Sequence, residues 1–358
     1  MGFKMEKINV LLIGTKSEFS NPAGFSRYSC ELYNSLIKIS KRATIIKSDY
    51  NESPPFYKGL TPLIHSLFEN YGRYDIIHNI EPKPFFPIKR VNAILITTFH
   101  DFRPLLRQDL TKSDFRGIHT TLGLFFVSKL GINMGLHSDY IIANSTQTKN
   151  EAISLGYDKK KIFVTKLGVD ERFLSHPKIK NRRKKETFTV GYLGLVGEGK
   201  NVQFAIKAFE LLRFRNIKFD IWGKKEYNYK KLVDLAKNNK NINFMGFAPE
   251  NKLVHIYDSF DVFVHPSFYE GFGLPILEAL ARGLPVITYK YGSIPKEVRK
   301  YCFEAESPEH MAQIIEDLKE NGYNEKLKKK ATEYARSFTW DRCARETLRV
   351  YEKVVKNG

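Results

Sequence analysis

The stretch that decides the fold reads His265-Pro266-Ser267-Phe268-Tyr269-Glu270-Gly271-Phe272-Gly273-Leu274-Pro275-Ile276-Leu277-Glu278-Ala279. It follows Asp261-Val262-Phe263-Val264, a short apolar, β-branched run of the kind that makes a buried parallel strand. Gly271 and Gly273 then break the regular backbone, since glycine alone takes positive φ cheaply or lets a ligand approach the main chain. Pro275 suits a first helical turn and Gly283 a C′ position, so the spacing predicts a helix from about Pro275 to Arg282. Strand, glycine loop and helix thus aim a helix N-terminus, with its free N–H groups and positive dipole end, at whatever lies above the loop. That place suits an anion.

Two carboxylates bracket it: Glu270 in the loop and Glu278 one turn inside the helix. Carboxylates beside a phosphate site suit neutral donors such as sugar hydroxyls, and the pair points to a nucleotide sugar. The other reading of the same two residues is a pair of solvated helix-start acids that merely favour the dipole.

The run resembles the signature of retaining GT-B glycosyltransferases of family 4 (group 1), in which two glutamates with seven residues between them enclose Gly-Phe-Gly-Leu-Pro; Glu270 to Glu278 match it without a gap, and Ala281 to Thr288 resemble the next helix end and strand. The resemblance implies two doubly wound, Rossmann-like α/β domains facing each other across a cleft. It implies a retaining transfer of a hexose from a UDP- or GDP-sugar to an acceptor hydroxyl on a lipid, a glycan or another molecule. In that scheme Glu270 and the amides of Phe272 and Gly273 hold the hexose, Glu278 the ribose, and Lys200 and the Leu274 amide the diphosphate. His100 faces the donor sugar. Gly24 lets the backbone approach the donor phosphate, and Phe247 lies in the loop that contacts the base. No metal or other cofactor is expected. One departure stands out. The family has Gly-Arg followed five residues later by lysine; here Lys200 matches the lysine, but Leu195 occupies the arginine position.

Length and composition bound the rest. The chain has 358 residues, enough for two domains, and its 42% hydrophobic content supports packed cores. Net charge is +19, which favours anionic partners: nucleotides, acidic lipid surfaces or nucleic acid. Three widely spaced cysteines form no metal or redox motif and suggest a reducing compartment. With no signal-peptide pattern and no apolar run unbroken enough to span a bilayer, a cytoplasmic protein is expected. The basic, apolar mixture at 101–116 leaves peripheral contact with an acidic membrane open, against an irregular solvated loop. No groove-reading motif for nucleic acid appears.

Read in order, Ile8–Gly14 is a first strand and Phe25–Ile39 a helix, with further strands at 43–47, 75–78, 93–98, 139–144 and 162–164. His100 follows the strand that ends in Thr98. The expected organisation is a first domain at 1–172, a basic linker at 173–186 and a nucleotide-sugar domain at 187–336. A terminal helix at 337–358 should return to the first domain. Strands are expected at 188–192, 217–222, 242–244, 261–264 and 285–288 in the second domain. Two rival functions share these features: a sugar-nucleotide epimerase of the same fold, and a basic binding protein for anionic polymer or membrane that has lost turnover.

Overall fold

The computed structural model describes residues 7–14, 19, 26–41, 43–48, 71–80, 92–102, 132–133, 135, 137–175, 187–214, 216–226 and 228–357. The expectations for Gly24, for most of the segment 101–116 and for most of the basic linker 173–186 lie outside them. The chain forms two units, residues 1–168 with 340–358 and residues 169–339.

The first unit holds six parallel strands: β1 (Ile8–Ile13), β2 (Ala43–Lys47), β3 (Ile76–Asn79), β4 (Ile94–Phe99), β5 (Tyr140–Ala143) and β6 (Ile162–Val164). Their order is β2-β1-β3-β4-β5-β6. The apolar runs are continuous because both faces of a doubly wound sheet are covered; Val10, Leu12, Ile76 and Ile142 are fully buried. The chain leaves β1 for β2 on one side and returns to β3 on the other, which places a switch point at the C-terminal ends of β1 and β3. The terminal helix, Trp340–Asn357, belongs to this unit and packs on the Ser26–Ile39 helix. It buries Cys343, Thr347, Tyr351 and Val354, a stripe of helical period.

A polar contact fixes that packing. His78, at the end of β3, is fully buried, and its Nδ1 lies 2.6 Å from the Tyr351 hydroxyl and its Nε2 2.7 Å from Thr98 Oγ1. Burial, with the nearby His100 adding to it, lowers the His78 imidazole to about 3. The unfolded chain therefore binds the extra proton between roughly pH 6.5 and 3, so His78 weakens the fold as pH falls through that window. His78→Leu leaves the Tyr351 hydroxyl without this partner in the core. We expect a loss of about 2 kcal/mol near neutral pH, read by urea unfolding, and a shallower acid limb than wild type. Equal stability of the two proteins at pH 7 would contradict this role.

The second unit holds β7 (Phe188–Leu193), β8 (Ile217–Trp222), β9 (Ile242–Gly246), β10 (Val262–His265), β11 (Val286–Tyr289) and β12 (Phe303–Ala305), all parallel, in the order β12-β11-β10-β7-β8-β9. Here the chain runs outward through β7, β8 and β9 and returns to β10 beside β7. The switch point lies between the C-terminal ends of β7 and β10. Gly191 in β7 has a packing reason: a Cβ there would stand 2.2 Å from the Phe260 ring. The strand β12, absent from the sequence expectation, is three residues long and follows a turn. Where the chain enters and leaves this unit, Val169 and Thr339 form a parallel bridge, and the Val169 amide donates to the Phe338 carbonyl at 2.9 Å.

Candidate active site

At the β7–β10 switch point Lys200, His265 and Glu270 come together. After β10 the chain turns into the Leu274–Ala281 helix, whose N-cap is Gly273 at φ +102, with no side chain capping the first turn. Only glycine takes that φ without strain, and the uncapped amides keep the anion-binding character expected of them. The preceding loop is stitched across the sheet: the Glu270 amide donates to the Ser293 carbonyl at 2.8 Å, and the Ser293 amide to the Phe268 carbonyl at 2.7 Å.

This loop brings the Glu270 carboxylate, only 11% exposed, back over the end of its own strand. Three donors converge on its Oε1: Lys200 Nζ at 2.7 Å, His265 Nε2 at 2.8 Å and Ser267 Oγ at 2.6 Å. Lys200 ends a short turn after β7, so the ion pair ties the two strands of the switch point together. Burial by itself would raise the Glu270 carboxyl. The Lys200 ammonium and the His265 ring outweigh it and hold the group well below the usual carboxylate range. Glu270 is thus a charged, oriented acceptor in a nearly dry place.

His265 and Ser267 are site residues that the sequence reading passed over. His265 is 2% exposed and stacks between Tyr192, at 6.2 Å, and Phe263, at 6.0 Å. Its Nδ1 has no hydrogen-bond partner among the described residues. The signal was in the quoted stretch: a histidine and a serine five and three residues before the glutamate.

Glu278 is not a solvated helix-start acid. It is 2% exposed, and Tyr257, fully buried on the Leu253–Ser259 helix, donates its hydroxyl to Oε2 at 2.8 Å. The Tyr257 ring is part of the core, while its hydroxyl orients the carboxylate.

The other expected residues fall as follows. Phe272 is buried, its ring 6.2 Å from that of Phe338, so only its backbone faces the loop. Leu274 opens the helix beside Gly273. Phe247, after β9, is 59% exposed, and Lys224 Nζ lies 5.3 Å from its ring centre. Leu195 turns its carbonyl to the Tyr192 hydroxyl, 2.6 Å away. His100 belongs to the first unit, at the end of β4. Its Nε2 donates to the Ile80 carbonyl at 3.1 Å, and the Tyr28 ring stands edge-on at 4.6 Å. Burial lowers its imidazole, which leaves a neutral ring with the lone pair on Nδ1. Among the described residues no group of three histidine, cysteine or acidic side chains could hold a metal, and no helix is long and apolar enough to cross a membrane.

Known proteins share this architecture. Residues 176–338 match the family described as glycosyl transferases group 1, and residues 23–173 match glycosyltransferase family 4. The O-antigen chain mannosyltransferase B of Escherichia coli is 29% identical over 170 residues, 45% of each chain. The match spans about half the length of the curated relatives. Among solved structures, a sucrose-phosphate synthase from Thermosynechococcus elongatus superposes with a TM-score of 0.73 at 17% identity, covering 98% of this chain and all of the other. The Anabaena protein HepE, solved with UDP and glucose, superposes with a TM-score of 0.66 at 15% identity, covering 97% of this chain and 100% of the other. Both have the same two-domain α/β fold.

Proposed function

The chain belongs to the group 1 glycosyltransferases of family 4, and from that premise we propose that it moves a hexose from a nucleotide diphosphate sugar to an acceptor hydroxyl with retention at the anomeric carbon. The observation that carries this reading is the convergence of Lys200, His265 and Ser267 on Glu270 beside an uncapped helix N-terminus. An anion site and an oriented, charged acceptor at one switch point match a ligand with both phosphate and sugar hydroxyls. That UDP-bound HepE shares the fold is consistent with such a donor.

Each residue then has a chemical role. The Leu274 amide and the Lys200 ammonium take the diphosphate charge, and the Phe272 and Gly273 amides hold the hexose. Glu278, its geometry set by Tyr257, accepts from the ribose hydroxyls, and Glu270 accepts from the hexose. For His100, neutral with Nδ1 as acceptor, the family resemblance implies a contact with the hexose, and for Phe247 one with the base. The bond from the anomeric carbon to the diphosphate oxygen breaks as the acceptor oxygen bonds to the same face. The acceptor proton passes to the departing diphosphate. A charge of +19 and free thiols at Cys30, Cys302 and Cys343 fit a cytoplasmic enzyme handling anionic substrates, with peripheral contact to an acidic membrane as a further proposal.

The test is calorimetric titration with UDP, GDP and ADP on wild type and Glu278→Ala. We expect wild type to bind one base selectively, and the variant to lose about ten- to a hundredfold in affinity, the worth of one or two buried bonds to a carboxylate. NMR of the first-formed product then reads the anomeric configuration. Absence of binding by wild type would remove the donor site and favour the basic binding protein. Inversion would remove the retention claim, and sugar-nucleotide conversion without acceptor would reveal an epimerase.

A further inference from the structure

Leu195 leaves the donor diphosphate short of one cation, and the neighbouring strand end supplies a candidate. After β8 the chain runs Gly223-Lys224-Lys225-Glu226 alongside the loop that follows β7. The Gly194 amide donates to the Trp222 carbonyl at 3.1 Å, the Val196 amide to the Lys224 carbonyl at 2.9 Å, and the Glu226 amide to the Val196 carbonyl at 3.1 Å. Val196 and Lys225 form a parallel bridge, and Val196 is 1% exposed, so this register is fixed by a buried anchor. Successive side chains of an extended run point to opposite sides. Lys225 accordingly goes to the Tyr229 ring, 4.9 Å away, and Lys224 to the Phe247 ring.

Lys224 therefore stands between the loop carrying Leu195 and Lys200 and the exposed Phe247. It is exposed, and among the described residues it forms no ion pair; its ammonium meets a ring face, while the Lys200 ammonium is already held by Glu270. The Glu226 carboxylate lies against Gly197, where a Cβ would stand 2.7 Å from Oε2. A lysine is a flexible point charge and can reach a phosphate from the adjacent strand, as the bidentate arginine it replaces would from the loop.

We propose that Lys224 is the second diphosphate cation of this chain, taking the part that Leu195 cannot. The proposal rests on the nucleotide-sugar reading above and is tested separately from it. The probe is whichever of UDP, GDP and ADP wild type binds, beside its nucleoside, titrated calorimetrically at low and moderate salt. Lys224→Ala should weaken the diphosphate about tenfold or more, with a smaller salt dependence, and leave the nucleoside within about twofold. Lys224→Arg should keep the affinity, and Lys225→Ala, which removes the same net charge one residue away, should stay within about twofold. Adding Leu195→Arg to Lys224→Ala should restore most of the loss. Equal effects of Lys224→Ala and Lys225→Ala, or a loss as large for the nucleoside as for the diphosphate, would overturn the assignment while leaving the donor site standing. A wild type that binds no nucleotide removes both.

Discussion

Glu270→Gln is expected to lower the rate of sugar transfer by roughly a hundred- to a thousandfold, the scale seen when a preorganised electrostatic partner of the reacting centre is removed. The substitution keeps shape and volume but removes the charge that gathers Lys200, His265 and Ser267 on one oxygen. Nucleotide binding should behave differently. Lys200 is paired with Glu270 at 2.7 Å, so the lysine must leave that carboxylate, or share it, to meet a phosphate. Glutamine releases the lysine, and affinity for the free nucleoside diphosphate should be unchanged or tighter while turnover collapses. Steady-state kinetics and titration on the same preparation read the two effects apart, and a parallel fall of both would count against the arrangement. Stability has its own signature. The folded carboxyl titrates below its unfolded value of about 4.3, so its contribution is complete above that pH and is lost as pH falls toward the folded value. The acid limb of the variant should therefore be flatter than that of wild type below about pH 4.

Much of this site was written locally. The glycine loop, the Pro275 start and the two glutamates lie within one short window, and a helix predicted from about Pro275 to Arg282 is found at Leu274–Ala281. Apart from β12, the strands of both sheets were equally plain, because runs such as Val10–Ile13 and Val262–Val264 are buried on both faces and leave no alternation to misread. What escaped notice depends on contacts that spacing does not encode. Tyr257 reaches Glu278 across 21 residues, and Tyr351 reaches His78 across 273. A tyrosine on an apolar stripe looks the same whether or not its hydroxyl orients a carboxylate. The strand β12 is too short to carry a period. The gap at Leu195 was visible in the sequence. Lys224 as its neighbour was not, since β8 lies beside β7 only once the order of the sheet is known.

That adjacency has a steric condition, and Gly223→Ala breaks it. Gly223 sits at φ +146, and a Cβ there would stand 1.5 Å from the Gly194 carbonyl oxygen and 2.7 Å from its carbon. Backbone cannot yield as a flexible side chain does. Gly194 is hemmed in as well, with the Tyr192 hydroxyl 2.9 Å from its own notional Cβ. On the other side the Gly223 amide donates to the Gly246 carbonyl at 2.8 Å, so the residue joins the ends of β7, β8 and β9. Alanine must therefore part the loop that carries Leu195 and Lys200 from the segment that carries Lys224, or break the bond to β9. We expect a loss of at least about 3 kcal/mol in urea unfolding, within the range of strained backbone positions combined with overpacking. Gly322→Ala provides the comparison: φ is +76 but nothing lies within 4 Å, so only the backbone preference is lost, about 1 kcal/mol. The difference between the two variants isolates the clash. Where Gly223→Ala still folds, nucleotide affinity should fall by up to about a hundredfold, because a shift of about 1 Å in a loop that positions charge is enough for that. If the two alanines prove equally mild, the strand ends are not in the contact described, and Lys224 loses its place beside the phosphate loop.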